Sequence, residues 1–306
     1  MNAPGFAHEA LVYRDEPTYV DAAAGFTRDG VLAGESVFAV LPPQGTKLLR
    51  EAIGDLADEV RFVDACEVGR NPARLIPAMR AQLAEAGDRP VRGLGEWAWP
   101  GRAAADHAEV VLHEALVNLA FEETAALRLR CLFDGAALPP ELLAAVAHTH
   151  PVVTDGTRAV SPVFDHGYAH DRFAADLPAP AEVSDMVHFC LDDLPELRDL
   201  VAVRAKQFGL PRGRALDLTL ATNEIVTNSI CHGGERGTLR LWTEGDTLVC
   251  EITDSGHITN PLVGRVAPLP SVQGGRGVWL ANQLCDLVTI RSQHPRGTFV
   301  RLHVRR

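Results

Sequence analysis

The residues best placed to do chemistry lie between Leu218 and Gly234, in the run LTLATNEIVTNSICHGG. At helical period Leu218, Ile225, Val226 and Ser229 share one side, while Glu224, Asn228 and Cys231 form a neighbouring stripe. Glu224 and Asn228 are four residues apart, so their side chains project one turn above the other. A carboxylate beside a carboxamide can hold a hard cation through oxygen ligands, or orient a hydroxyl or a water. Taken alone, the pair equally fits a solvated helix face. Two glycine turns downstream change its weight. Asp254-Ser255-Gly256 ends an apolar run, where the Asp can accept the exocyclic amino group of adenine and the Gly lets a base lie close to the backbone. Gly274-Gly275-Arg276-Gly277 opens a further helical segment, where unpaired backbone N–H groups and the positive end of the helix dipole favour phosphate. Each of these is common by itself. In this order they describe a nucleotide site, with Mg²⁺ between the Glu224/Asn228 pair and the phosphates.

The elements that must position these groups can be read from the same half. Met186–Leu191 suits an edge strand, and Leu194–Phe208 a helix with Pro195 in its first turn and Gly209 at its end. A second helix runs from about Arg212 through Cys231 and stops at Gly233-Gly234. Strands at Thr238–Thr243 and Thr247–Thr253 are joined by a turn at Glu244-Gly245-Asp246. The long stretch that follows, with Pro261, Pro268 and Pro270, is a natural lid. A helix (Val278–Cys285) and strands at Asp286–Ser292 and Thr298–Val304 complete the half.

In the first half strands alternate with helices, which predicts a largely parallel sheet with helices on both faces. Strands are expected at His8–Tyr13, Ser36–Leu41, Val60–Ala65, Val91–Trp99 and Leu127–Phe133. Helices are expected at Pro17–Leu32, Leu48–Leu56, Asn71–Leu83, about Ala103–Glu123 and Pro139–His148. The turn Pro42-Pro43-Gln44-Gly45-Thr46-Lys47 holds only a fragment of a phosphate loop, because the two prolines remove donors such a loop needs. His148 and His150, before Pro151, read as part of a turn. Ser161–Val183 shows no clear period and reads as a linker.

At 306 residues the chain is long enough for two domains, each with a sizeable core. A net charge of −11 argues against a large surface for direct nucleic-acid binding. The six Cys show no CxxC pair or finger spacing, and most sit beside apolar residues, as expected of free thiols in a reducing compartment. With no apolar run of membrane-spanning length and no leader pattern, the expectation is a cytoplasmic protein without membrane association.

Residues 185–305 resemble the GHKL ATP-binding fold and, within it, the anti-sigma factor serine/threonine kinases. Glu224–His232 (EIVTNSICH) matches that family's N box, Asp254-Ser255-Gly256 its adenine box, Gly274–Gly277 its lid-end box, and Gly297-Thr298 the strand turn closing the base pocket. The resemblance implies ATP and Mg²⁺ as cofactors. Asn228 would coordinate Mg²⁺, and Glu224 would be the general base activating an acceptor serine. Asp254 would read adenine with support from Thr298, while His232, Gly256, Gly274, Gly275, Arg276 and Gly277 would complete the nucleotide site. It also implies a sigma factor and an anti-anti-sigma (STAS) protein as partners, and a homodimer through this half. The adenine box departs from the family in carrying His257 and Ile258 where a second Gly is usual. A non-catalytic docking module and a histidine-kinase-type signalling ATPase are the alternatives, although the phosphoacceptor helix pair of the latter is missing.

Residues 6–170 resemble the MEDS sensory domain of regulators in methanogens and methylotrophs. The resemblance is carried by HEALVY (8–13), Phe26-Thr27-Arg28-Asp29-Gly30, the Ser36–Leu41 strand and Leu132-Phe133-Asp134. It implies a RecA-like parallel sheet with flanking helices, lacking the phosphate loop, and a small-molecule ligand. His8, Cys66, Trp97, Trp99 and His113 are candidates to line a ligand or metal site. The expected organisation is thus an α/β sensory domain at 1–170, a linker at 171–184, and an α+β GHKL (Bergerat) sandwich at 185–306.

Overall fold

The computed structural model describes residues 5–124, 126–180, 182–268 and 275–306. The chain divides into two compact units, Met1–Ala169 and His170–Arg306. Among the described residues no helix is long and apolar enough to cross a membrane.

The first unit runs β1 (Ala7–Tyr13), α1 (Glu16–Leu32), β2 (Ser36–Leu41), α2 (Pro43–Ile53), β3 (Val60–Asp64), α3 (Ala65–Val68), α4 (Leu75–Ala86), β4 (Val91–Gly95), α5 (His107–Phe121), β5 (Leu127–Asp134), α6 (Pro140–Thr149), β6 (Val152–Asp155) and β7 (Thr157–Val160). Its strands form one sheet in the order β3-β2-β4-β5-β1-β6-β7, parallel throughout except for the antiparallel β6–β7 hairpin at the edge. Successive strand residues face opposite sides, so each face has its own partners. Leu11, Val37, Ala39, Leu41, Leu94 and Leu132 join Tyr19, Ala23 and Phe26 of α1 and Leu49 and Ile53 of α2 in one apolar cluster. Each Val, Leu, Ile or Phe among them, fully buried, contributes ~1.5–3 kcal/mol. His8 and Cys131 point the other way, against α5: they lie within hydrogen-bond reach of Asn118 and Glu114.

The structure moves several expected boundaries. The α2 helix begins at Pro43, not Leu48, because proline at a first-turn position needs no N–H and its fixed φ suits a helix. The β4 strand stops at Gly95, before the tryptophans. The Ser161–Val183 segment is not wholly irregular: α7 (Tyr168–Ala174) lies in it, and Arg301 donates to the Pro178 carbonyl at 2.7 Å. The short edge strand β7 was missed, since all four of its residues are exposed and carry no burial pattern.

The second unit continues with β8 (Asp185–Phe189), α8 (Leu194–Phe208), α9 (Arg212–His232), β9 (Gly237–Glu244), β10 (Thr247–Asp254), α10 (Gly277–Leu284), β11 (Leu287–Gln293) and β12 (Gly297–Arg305). Its five-stranded sheet is antiparallel, in the order β11-β12-β10-β9-β8. The α9 helix packs across β10 and β12 through Leu218, Ala221, Ile225, Val226 and Ser229, the side its periodicity marked as apolar. The α10 helix lies antiparallel along α9. Arg214 holds its C-terminal end through the Leu284 carbonyl (2.7 Å) and Asp286 (2.5 Å).

Gly297 opens β12 at φ +94, and a Cβ there would sit 2.0 Å from the Asp254 carbonyl oxygen. Gly297→Ala is therefore expected to destabilise the second unit by about 2 kcal/mol or more, through both the left-handed backbone and the clash. Urea denaturation of the full chain, read by hydrogen exchange in peptides from residues 237–305, checks this. A loss below roughly 0.5 kcal/mol would show that the strand end relaxes freely.

Candidate functional site

In the second unit the site is assembled at one end of the central strand. Asp254 is the last residue of β10, with Gly237 and Thr298 as its cross-strand neighbours. Ser229 of α9 donates to Asp254 Oδ2 at 2.6 Å, and the Gly256 amide donates to Oδ1 at 2.8 Å. Thr298 Oγ1 donates to the Gly256 carbonyl at 2.9 Å and lies 3.0 Å from Ser292 Oγ. Ser292 in turn accepts from the Ile258 amide at 2.8 Å and lies 3.3 Å from His257 Nδ1. The two turns flanking this strand end interlock. The Ser255 amide and hydroxyl both donate to the Gly233 carbonyl, at 3.0 and 2.9 Å.

One turn back along α9, Glu224 and Asn228 are half-buried and face the start of α10. A Cβ at Gly277 would lie 3.0 Å from Glu224 Oε2 and 3.1 Å from Asn228 Nδ2. The first residue of α10 thus packs directly on the carboxylate–carboxamide pair, a fit that a larger side chain would crowd. Gly275 adopts φ +70 and is exposed, as are Arg276, at the N-cap of α10, and His232, at the end of α9. The His232 carbonyl would lie 2.9 Å from a Cβ at Gly256. Gly274 and Pro270 fall outside the described residues. Of the lid, the part up to Pro268 is described, and Asn282 of α10 donates to the Gly264 carbonyl at 3.0 Å. Glu224, Asn228, Asp254, Gly256, Gly277 and Thr298 therefore share one end of the unit. The chemistry this arrangement offers is a cation or hydroxyl at the α9 pair, beside the N-terminal end of α10.

In the first unit, Glu96 and Glu114 each centre a buried polar group. At the C-terminal ends of β1, β2, β4 and β5 a crevice of about 420 Å³ is lined by Tyr13, Tyr19, Gly45, Glu96, Trp99 and Asp134 among others. Ligands commonly bind at such strand ends in α/β sheets. The fragment Gly45-Thr46-Lys47 falls in the first turn of α2, which faces it. A Cβ at Gly45 would lie 2.2 Å from the Tyr19 hydroxyl and 3.3 Å from Glu96 Oε2, so the place of a phosphate is taken by a phenol and an acid. Burial pushes the Glu96 carboxyl up to about 7, against the hydrogen bond that Tyr13 donates at 3.0 Å. On the other face, His8, Glu114, Cys131 and His150 converge, all fully buried. Burial, helped by His150, lowers the basicity of His8. Desolvation and the neighbouring Glu114 raise the Cys131 thiol. Desolvation would raise Glu114 too, but His150 and His8 outweigh it and hold the group below the ordinary carboxylate range.

Sequence reasoning caught His8 and Trp97 of this cluster and missed Glu114, Cys131 and His150. The usable signal was Glu114 and Asn118, four apart on the most apolar helix of the unit. His150 lies in the junction between α6 and β6, in keeping with a turn, but is fully buried there. Cys66, in α3, and Trp99, in the crevice under the Arg102 guanidinium, stand apart from the cluster. His113 packs edge-on against Trp97 at 5.5 Å.

The Glu96 carboxyl sets a pH dependence. Its folded value lies above its ordinary one, so its contribution to stability is present below about pH 4.5 and is lost as pH rises through about 7. The span is on the order of 3 kcal/mol. Glu96→Gln should flatten the stability of the 91–134 region between these limits, read by hydrogen exchange. An unchanged pH slope would refute the assignment.

Comparison with known proteins gives two matches along the chain. Residues 7–151 match the MEDS family, the methanogen/methylotroph, DcmR sensory domain. Residues 189–304 match the histidine kinase-like ATPase domain. No curated protein matches the chain. Among solved structures, one match is that of Drosophila ORC bound to AT-rich DNA and Cdc6, with 13% identity over 79% of each chain and a TM-score of 0.23, which carries no argument. The chain joins an N-terminal MEDS domain to a C-terminal histidine kinase-like ATPase domain.

Proposed function

We propose that the second unit binds ATP with Mg²⁺ and serves as the anti-sigma module of a cytoplasmic transcription regulator, governed by a small molecule bound in the first unit. The single observation that carries the reading is the packing of Gly277, at the N-terminus of α10, against both Glu224 and Asn228. It sets a phosphate-favouring helix end beside a metal-binding carboxamide and a carboxylate. In this reading the unit is a GHKL (Bergerat) sandwich, Asn228 holds Mg²⁺ on the phosphates, and Asp254 accepts the adenine amino group through a remaining lone pair. Glu224 takes the proton of a serine on a STAS-domain partner as the γ-phosphoryl moves to it. Such transfer relies on positioning and charge neutralisation, so one base and one metal ligand suffice. Nucleotide-dependent exchange between a sigma factor and the STAS partner would be the output. The crevice above β1, β2, β4 and β5 of a RecA-like first unit is the natural place for the small molecule.

A second reading, a docking module without phosphoryl transfer, is favoured by the polar contacts already made at the base pocket. Both Asp254 oxygens are engaged, and His257 lies against Ser292 where a glycine would leave space. It predicts a stable complex with the STAS partner and no phosphoserine.

Calorimetry on the full chain should show ATP binding that requires Mg²⁺. Asn228→Ala should weaken it by about tenfold or more, a loss of ~1.4 kcal/mol. Glu224→Ala should retain nucleotide affinity but slow serine phosphorylation roughly 10²–10⁴-fold. No detectable binding by folded protein at millimolar ATP would end the nucleotide reading. Binding without phosphoserine would leave the docking module.

A further inference from the structure

We propose that His8, Glu114, Cys131 and His150 form a closed, four-ligand site for a divalent metal ion of the zinc class, buried between the sheet and α5 of the first unit. His8 comes from the start of β1, Cys131 from the middle of β5, Glu114 from α5, and His150 from the residue after α6. One ligand atom from each lies within 4.8 Å of all the others.

The spacing fits a metal site. Glu114 Oε2 lies 3.4 Å from His8 Nε2, 3.5 Å from His150 Nε2 and 3.4 Å from Cys131 Sγ, and His8 Nε2 lies 3.3 Å from Cys131 Sγ. The two carboxylate–imidazole distances lie at the long end of hydrogen bonding, beyond the usual ~2.7–3.2 Å. They do match the edges of a tetrahedron around zinc, about 3.3–3.7 Å for metal–ligand bonds of ~2.0–2.3 Å.

Donor and acceptor accounting gives the same answer. Asn118 Nδ2 donates to the carbonyls of Thr149 (2.8 Å), Glu114 (3.3 Å) and Ala115 (3.4 Å). This fixes the amide so that its Oδ1 accepts from His8 Nδ1 at 3.1 Å. His150 Nδ1 lies 2.9 Å from Thr149 Oγ1, whose hydroxyl reaches the Ala145 and Val146 carbonyls at 3.2 Å, and 3.1 Å from the Val146 carbonyl, so an Nδ1–H finds acceptors there. In this tautomer each imidazole carries its proton on Nδ1 and turns the Nε2 lone pair inward. Glu114 adds a carboxylate acceptor, to which the Cys131 thiol donates at 3.4 Å, and His150 Nε2 and Glu114 Oε1 have no hydrogen-bond partner. Converging lone pairs in a dry site are costly unless a cation sits among them. The surroundings also suit a metal. Both histidines are oriented through Nδ1 by an amide or carbonyl oxygen, and the Trp97 indole donates to Cys131 Sγ at 3.2 Å, as to a metal-bound thiolate.

All four ligands are protein groups and none is exposed, so no position is open for a substrate. Such a closed site ties elements together or reports metal supply; it does not catalyse. It is independent of nucleotide binding by the second unit.

The test uses the full chain, stripped with a chelator and titrated with Co²⁺ and Zn²⁺. The expected result is about one ion per chain, with tetrahedral cobalt bands, a thiolate-to-cobalt charge-transfer band, and a raised unfolding temperature with Zn²⁺. Cys131→Ala should abolish the charge-transfer band. His150→Gln should weaken binding by roughly 100-fold, and Asn118→Ala or Trp97→Phe by about 10-fold with the band shifted. Folded wild-type protein that takes up no Co²⁺ and gains no stability from Zn²⁺ overturns the proposal, whatever becomes of the variants. So does an unchanged cobalt spectrum in Cys131→Ala, which would place the ion elsewhere.

Discussion

The second unit depends on one short hydrogen bond, from Ser229 to Asp254 at 2.6 Å. It ties the side of α9 to the end of the central strand. A bond from a hydroxyl to a half-buried carboxylate contributes ~1.5–3 kcal/mol, more than most single contacts. With α9 pinned, the residue before Ser229 and the one a turn earlier must face the start of α10, which is how Asn228 and Glu224 meet Gly277. The same carboxylate closes the Gly256 turn, and Gly297 lets the next strand approach it. The helix pair, the two glycine turns and the strand end are thus one construction around one acid.

The first unit uses its sheet differently on its two sides. On the α1/α2 side an apolar cluster fills the middle, Arg92 is buried against Phe26 and Glu35 at one end, and at the other Glu96 is desolvated and held by phenols. On the α5 side a carboxylate lies deep inside among two imidazoles and a thiol. The two buried acids therefore mark different chemistry. Glu96 borders a crevice of about 420 Å³, while Glu114 sits in a closed cluster whose four ligand atoms lie within 4.8 Å of one another.

The sequence by itself determined most of the secondary structure, because the period of apolar residues and the positions of Pro and Gly are local facts. The Leu194–Phe208 helix and the Ser36–Leu41 strand match residue for residue, and the apolar side of α9 is the side that packs. The runs Glu224–His232, Asp254–Gly256 and Gly274–Gly277 stand out in the sequence because each is a short run in which a backbone requirement favours particular residue types. Edges were less legible. A β7 strand with every residue exposed has no burial pattern to read, and a helix opening on proline resembles a loop.

What only the tertiary structure decided is which distant residues share a site. His8 and His150 are separated by most of a domain in sequence, and only the parallel pairing of β1 with β5 and β6 brings them, with Cys131, onto one side. Register sets this: a shift by one residue would turn His8 and Cys131 to the opposite face. Whether Cys66, His113 or His150 joined His8 could not be told from residue type. In the same way, Asp254 could be read as a strand-end acid, but its pairing with Ser229 depends on how α9 lies across the sheet.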